Sequence, residues 1–180
     1  MPPQGTGMNT VDWRPTTPQD RDFLLRVYAD TRAEELARTG WDASACASVV
    51  AMQFEAQDQH YRAHFCEAEC SVLECAVRGE PVRVGRLWID RRQHSIHVLD
   101  IALLAEFRGQ GLGTACLRRL MVEAAARAVP LSIKVEFFNP ARRWYKRLGF
   151  VPQAEHGMHV QMSWSAPGAV HTLETEHEQA

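Results

Sequence analysis

Residues 106–114 read EFRGQGLGT and join a strand pattern to a helix pattern. The preceding residues 95–104, SIHVLDIALL, are almost continuously apolar or β-branched, which predicts a central strand covered on both faces. After the glycines, apolar residues recur at helical spacing as far as Pro130, which predicts an amphipathic helix. A glycine-rich turn between a strand and a helix is a potential anion site, because the first N–H groups of a helix lack partners within it.

The spacing of the glycines distinguishes three kinds of anion loop. Gly109, Gly111 and Gly113 alternate, whereas a dinucleotide-binding loop requires G-x-G-x-x-G. A nucleotide P-loop requires a lysine directly after its last glycine, and no lysine lies near this loop. The remaining pattern is R-x-x-G-x-G, which runs from Arg108 to Gly113. A turn that serves only the fold is the alternative for so short a glycine cluster.

This pattern, together with NPARRWYKRLGF at residues 139–150, resembles two signatures of the GNAT superfamily of N-acetyltransferases. The helix segment QFEAQDQHY at 53–61 is similar to a Q-F-x-A-Q-x-x-H-Y run found in a bacterial subgroup of GNAT-like proteins. The predicted order of elements, β-α-α-β-β-β-α-β-α-β-β, also matches over roughly residues 11–164. The resemblance implies a single α/β domain with a mixed central sheet of about seven strands. That sheet is expected to be mostly antiparallel, with a parallel central pair and about four flanking helices.

Composition indicates one ordinary globular domain. The chain has 180 residues, 46% of them hydrophobic, and a net charge of -2, so no overall field favours nucleic acid or an anionic membrane. No stretch approaches the ~20 apolar residues of a membrane-spanning helix, and the first residues lack a signal-peptide pattern, which predicts a cytoplasmic protein. Residues 1–10 and 165–180 are polar and aperiodic, so we expect two flexible tails. The oligomeric state stays open, with a homodimer among the options.

The cysteines indicate a reducing compartment. The chain has 5 of them, an odd number without a C-x-x-C pair, which predicts reduced thiols and no structural disulfide. Three cysteines and two histidines cluster within residues 60–75, but their spacings match no usual zinc framework. The sequence therefore predicts no metal site.

The resemblance implies acetyl-CoA as cosubstrate and assigns the glycine loop to its pyrophosphate. The amides from Gln110 to Thr114, with Arg108, are expected to hold the phosphates, and backbone groups at the strand end to pair with pantetheine and polarise the acetyl carbonyl. Asn139 lies six residues before Tyr145 where seven is the commoner gap, and an Asn before Pro caps helices in any protein. The expected cofactor-binding residues are Leu103, Leu104, Arg108, Gly109, Gln110, Gly111, Leu112, Gly113, Thr114, Asn139 and Tyr145.

Direct acetyl transfer to an amine requires an acid for the leaving thiolate and a base for the amine. The resemblance implies that the Tyr145 phenol is the acid. The alternative is that Tyr145 is an aromatic residue of the core with no role in the reaction. Asp100, within the apolar run VLDIALL, and Glu136, at the end of the next strand, are candidate bases. The sequence is equally compatible with a purely structural role for Asp100, in which its side chain caps a neighbouring loop. His60 is the third candidate, and the sequence leaves the choice open.

The helix predicted from about Ala43 to Phe65 carries polar residues at helical spacing on one face. In the GNAT superfamily the early helices wall the acceptor pocket, whereas a solvated surface is the ordinary alternative for such a face. The expected acceptor-binding residues are Glu34, Gln53, Gln57 and His60, with Glu35 and Trp41 in the same wall.

The sequence therefore predicts an N-acetyltransferase that moves an acetyl group from acetyl-CoA directly to a primary amine of a small molecule or peptide. The alternative function is a non-catalytic, acyl-CoA-binding sensor or interaction module, because no base is unmistakable and the asparagine spacing is altered. A nicotinamide-binding protein is a weaker third interpretation.

Overall fold

The computed structural model describes residues 10–168 of the chain. Within these residues the strands are β1 (Val11–Pro15), β2 (Glu69–Val77), β3 (Glu80–Arg91), β4 (Ile96–Leu103), β5 (Leu131–Glu136), β6 (Val151–His156) and β7 (His159–Trp164). The helices are α1 (Arg21–Ala37), α2 (Ala43–His64), α3 (Leu112–Ala126) and α4 (Ala141–Arg147). This is the predicted order of elements. The two predicted tails lie almost entirely outside the described residues.

All seven strands of the described chain form one sheet, in the order β1-β2-β3-β4-β5-β7-β6. Neighbouring strands are antiparallel except β4 and β5, which are parallel and are connected through α3. A parallel pair requires such a crossover, because a short turn cannot return the chain to the same end of the sheet. The predicted mixed sheet with a central parallel pair is confirmed.

Helices α1 and α2 cover one face of the N-terminal half of the sheet. Phe23 and Val27 of α1 pack on Ala102 of β4, and Tyr28 of α1 packs on Phe54 of α2, with 5.9 Å between the ring centroids. The helix ends follow from local chemistry. A capped 3-10 turn over Pro18–Asp20 precedes α1, and the carboxylate of Asp42 accepts a hydrogen bond from the Ala45 N–H at the start of α2, at 2.8 Å.

Helices α3 and α4 cover the opposite face, over the central and C-terminal strands. Ile101 and Leu103 of β4 belong to this second core, whereas Ala102 between them belongs to the first, as strand alternation requires. The buried apolar residues of β5 and β7 also face α3 and α4. They are Leu131, Ile133, Val135, Val160 and Met162.

No helix in the described part of the chain combines the length and the apolar character needed to cross a bilayer.

A buried carboxylate anchors the start of α1 to the edge of the sheet. Asp20 is only 2% exposed, and its two oxygens accept hydrogen bonds from Arg14 at 2.7 and 2.8 Å. The backbone N–H and the hydroxyl of Thr17 donate to the same carboxylate, each at 2.9 Å. The Arg14 guanidinium is the largest cause that holds the pKa of Asp20 well below its usual value; burial opposes it, and the Thr17 bonds support it.

We expect Asp20→Asn to lower the free energy of unfolding by about 2 kcal/mol at pH 7, because the charged bonds to Arg14 are lost. Since the pKa of Asp20 is depressed in the folded state, its contribution is complete above pH ~5 and decreases progressively as the pH falls from there toward the lowered folded-state pKa. Urea unfolding from pH 7 to pH 3 measures both effects. Asp12→Asn is the control, since Asp12 forms an exposed pair with Arg119. Equal losses in both variants would contradict the anchor.

Candidate active site

The parallel strands β4 and β5 separate soon after they meet. Their pairing covers only Ile96 with Leu131, His97 with Ser132 and Val98 with Ile133, although both strands continue for several residues. On its other edge, β4 carries a β-bulge, since Ile89 of β3 pairs with Val98 and the adjacent Trp88 pairs with Asp100. The bulge bends β4 at the point where it leaves β5. The result is a cleft between the two strands, open toward their C-terminal ends.

The glycine loop lies at the open end of this cleft and begins α3. Gly111 has φ of 84°, in the left-handed region that glycine adopts without strain, and it is the residue that precedes the helix. The first bond of the helix runs from the Ala115 N–H to the Gly111 carbonyl. Within residues 10–168, the N–H groups of the four residues before Ala115 donate no hydrogen bond; these are Gly111, Leu112, Gly113 and Thr114. Adjacent free amides at the positive end of a helix dipole form an anion site.

Arg108 is held beside this loop by two protein acceptors. Its Nε donates to the Leu103 carbonyl at 2.8 Å, and its terminal nitrogen donates to Asp30 of α1 at 2.6 Å. The same carboxylate accepts the N–H of Ala105 at 2.6 Å. Asp30 therefore ties α1 to the start of the loop. No sequence motif singled it out, because an acidic residue on a helix is ordinary.

The backbone of β4 presents alternate residues to the cleft. The Leu104 N–H donates to the Val84 carbonyl at 2.9 Å, and the Leu104 carbonyl accepts from Phe107. Successive backbone groups of a strand point to opposite edges, so those of Leu103 point toward the edge that β5 has left. Of the two residues expected to face the cofactor, Leu103 is on the cleft edge, but its carbonyl already accepts from Arg108. The Leu104 N–H and carbonyl are both bonded within the protein.

Gly113 serves a packing contact that the sequence did not show. A Cβ placed on Gly113 would lie 3.2 and 3.3 Å from ring carbons of Trp144. The indole N–H of Trp144 also donates to the Thr114 hydroxyl at 3.0 Å. Helix α4 is thereby fixed against the first turn of α3, so the loop and Tyr145 are positioned by one contact.

Tyr145 lies next to this contact, in the core between α3, α4 and the sheet. It is 5% exposed, with ring centroids 4.9 Å from Trp144 and 5.9 Å from Phe150. Burial raises the pKa of the phenol, and the negative charge of Asp100 raises it further. The phenol therefore stays protonated through the neutral range, as a proton donor must.

Asp100 is part of a charged network on the α1/α2 side of the sheet. Its Oδ2 accepts from Arg86 Nε at 2.7 Å, and another nitrogen of Arg86 donates to Gln57 Oε1 at 2.7 Å. The guanidinium carbon of Arg86 lies 5.3 Å from the centroid of the Tyr28 ring. Its place in an apolar run suggested a buried carboxyl group. The Asp100 side chain is instead 22% exposed and ion-paired. Sequence reasoning missed Arg86.

Glu136 and Asn139 lie at the far side of the cleft, around the end of β5. Glu136 is exposed, lies opposite His159 of β7 and points away from the α3/α4 core. The Asn139 side-chain oxygen accepts the Ala141 N–H at 2.9 Å, so it caps α4, which starts one residue later than the Asn-Pro signal predicts. Phe138 and Met158, 80% and 64% exposed, lie at this end of β5 and were not singled out in the sequence.

The residues expected to wall the acceptor pocket separate into two groups. Gln57 belongs to the Arg86 network, and Gln53 reaches the Tyr28 hydroxyl at a long 3.5 Å. His60 is exposed, and its ring contacts, including one to His64 at 4.3 Å between centroids, all stay at the C-terminal end of α2. Glu34 is exposed and forms no ion pair with any residue from 10 to 168. Among these residues, the structure therefore brings Gln57 into contact with Arg86, the partner of Asp100, and it shows no such contact for His60 or Glu34 within residues 10–168.

Known proteins show the same architecture. The sequence pattern of the acetyltransferase (GNAT) family matches residues 31–150, more than half of the chain. The PaiA N-acetyltransferase of Thermoplasma acidophilum, solved in complex with coenzyme A, superposes with a TM-score of 0.63 at 12% identity, over 87% of this chain and 99% of its own. An acetyltransferase from Thermus thermophilus gives 0.61 at 21% identity, over 88% and 100%.

The spermidine N-acetyltransferase of Vibrio cholerae, solved with CoA and spermine, superposes with a TM-score of 0.58 at 15% identity, over 87% of this chain and 95% of its own. At these identities the structural likeness shows the fold. No curated protein sequence matches the chain. The match over residues 31–150 shows that the chain belongs to the acetyltransferase (GNAT) family.

Proposed function

We propose that this acetyltransferase moves an acetyl group from acetyl-CoA directly to a primary amine of a small molecule or peptide. One observation carries the proposal, namely the run of free amides from Gly111 to Thr114 at the mouth of the β4–β5 cleft. These donors fit the pyrophosphate of CoA, since they are adjacent, unpaired and at the positive end of α3. With the phosphates held there, the Leu103 N–H on the cleft edge offers a donor to the pantetheine arm, whereas the Leu103 carbonyl is bonded to Arg108.

The chemistry needs few further groups. The attacking amine must lose a proton, a C–N bond forms as the C–S bond breaks, and the departing thiolate takes a proton. Tyr145 is the donor that we assign to the thiolate, because it matches the tyrosine of the family signature and its phenol is protonated at neutral pH. The enzyme otherwise acts by holding the two reactants in register.

Among the candidate bases, Asp100 is the best placed. Only one of its oxygens, Oδ2, is bonded, and Oδ1 has no hydrogen-bond partner within residues 10–168. Glu136 lies at the end of β5 opposite His159 of β7 and is exposed to solvent. The ring of His60 packs on His64 and Phe65 at the end of α2. We therefore assign to the Asp100 carboxylate the hydrogen bond from the incoming amine.

Two measurements test the proposed function. Isothermal titration calorimetry with CoA and acetyl-CoA tests the cofactor site, for which we expect micromolar dissociation constants. A panel of amines, including amino acids, peptides and the polyamines suggested by the Vibrio cholerae neighbour, is then screened by mass spectrometry for acetylated products. Mass spectrometry is preferable to thiol reagents because the protein has five free cysteines of its own.

The two measurements separate the proposed function from the alternative. Binding of CoA with transfer to at least one amine is the expected result. Binding without transfer to any amine would instead support an acyl-CoA-binding sensor or interaction module. No binding of either nucleotide would contradict both.

A further inference from the structure

We propose that Arg86 is a positioning residue for the transfer reaction, which acts by fixing the Asp100 carboxylate in the cleft with Oδ1 directed to the acceptor amine. The inference rests on the proposed transferase function and adds to it a residue of β3 that touches neither reactant.

The geometry at Asp100 requires a partner of this kind. Asp100 lies at the β-bulge, where β4 has lost its pairing with β5, so neighbouring strands constrain this part of β4 from one side only. The 2.7 Å bond from Arg86 Nε to Oδ2 fixes the side chain and leaves Oδ1 available. Tyr61 supports the same bulge from α2, since its hydroxyl donates to the Leu99 carbonyl at 3.2 Å.

Arg86 is itself buried and fixed by contacts with both N-terminal helices. It is 2% exposed, its second nitrogen bonds Gln57 of α2, and its guanidinium packs on the Tyr28 ring of α1. A buried guanidinium costs several kcal/mol to desolvate, and a hydrophobic pair of similar volume often serves stability equally well. A stability role alone is therefore a weak reason for a buried Arg–Asp pair at this place.

The Asp100 side chain lies on the α1/α2 side of the sheet, beside the gap between β4 and β5. Its charge is the second cause, after burial, that raises the pKa of Tyr61 on the α2 side and of Tyr145 on the α4 side. Both tyrosines are therefore within reach of the Asp100 charge. An amine that approached from the α1/α2 side would find Oδ1 without a protein partner among residues 10–168.

A double-mutant cycle tests whether Arg86 acts through Asp100. We expect Asp100→Asn to lower kcat about 100-fold and Arg86→Gln to lower it at least tenfold, with the KM for acetyl-CoA unchanged in both. If Arg86 acts only by positioning Asp100, the double variant should be no slower than Asp100→Asn alone, because the group that Arg86 orients is already absent. The assay uses the amine with the highest turnover in the panel.

Folding is controlled within the same experiment. Each variant is assayed well below its own melting temperature. If Arg86→Gln does not fold, the cycle is run with Arg86→Lys, which keeps a cation at this position. Arg91→Gln is the matched control, since Arg91 lies on the same strand and binds Glu123 at 2.7 Å away from the cleft. It should keep kcat within about twofold.

Multiplicative losses in the double variant, or an unchanged kcat in Arg86→Gln, would overturn the positioning role while the transferase function stands. A wild-type protein that binds acetyl-CoA but acetylates no amine would remove the proposed function, and this role with it. The two failures are distinguishable, because the first is seen only in the variants and the second already in the wild type.

Discussion

Tyr145→Phe is expected to lower kcat for acetyl transfer about 100-fold while the dissociation constant for CoA stays within twofold. The phenol supplies a proton to the leaving thiolate, and loss of a positioned general acid costs 10²-fold or more. The ring itself remains, so the contacts with Trp144 and Phe150 and the packing of α4 are retained. Because the pKa of Tyr145 is raised, this acid should stay protonated, and wild-type kcat should not fall through its titration below pH ~10.

Tyr28→Phe is the matched control for this prediction. Tyr28 is a buried tyrosine of the other helix layer, 3% exposed, and its hydroxyl donates to Gln53 at a long 3.5 Å. Steady-state kinetics and calorimetry on both variants should show the loss only at Tyr145. Normal turnover in Tyr145→Phe would exclude the acid role and leave Tyr145 as a core aromatic.

Gly113→Val is expected to weaken acetyl-CoA binding about 30-fold in calorimetry. A Cβ at this position already meets the Trp144 ring at 3.2 Å, and the two methyl groups of valine extend further. Overpacking costs typically 1–3 kcal/mol. If the clash with Trp144 is relieved by a shift of the first turn of α3, a cost of about 2 kcal/mol corresponds to the 30-fold loss in affinity. The free amides of the loop would move with that turn.

Trp144→Ala provides the compensating change. In the double variant Gly113→Val/Trp144→Ala the clash is removed, so the affinity should recover by at least fivefold over that of Gly113→Val. An equally weak double variant would show that the side chain at Gly113 blocks the ligand directly. Unchanged affinity in a folded Gly113→Val protein would contradict the assignment of this loop to CoA.

The glycine loop was predictable from the sequence because its chemistry is local. A strand, alternating glycines and an amphipathic helix follow one another in the chain, and the free amides of Gly111 to Thr114 result from that succession alone. The packing role of Gly113, however, was not predictable from the sequence. The packing of Trp144 on Gly113 joins residues 31 positions apart in the sequence, and only the docking of α4 on α3 reveals it.

The charged groups of the site, in contrast to the glycine loop, could not be paired from the sequence. Asp100 and Arg86 each interrupt an apolar strand, which is a visible signal, but their pairing depends on the β3–β4 register and on the bulge. Asp30 gave no signal, because its bond to Arg108 forms only when α1 packs beside the loop. His60 shared a helix face with Gln57 by spacing, yet its ring packs on His64 at the C-terminal end of α2, whereas Gln57 bonds Arg86.

The sequence by itself determined the order of strands and helices, the loop that begins α3 and the family resemblance. These depend on hydrophobic periodicity, glycine conformation and unpaired helix amides, all of which act within a few residues. Only the tertiary structure decided where β4 parts from β5 and which charges meet at the cleft. Those features depend on strand register and on helix packing, which bring together side chains that the sequence separates by tens of residues.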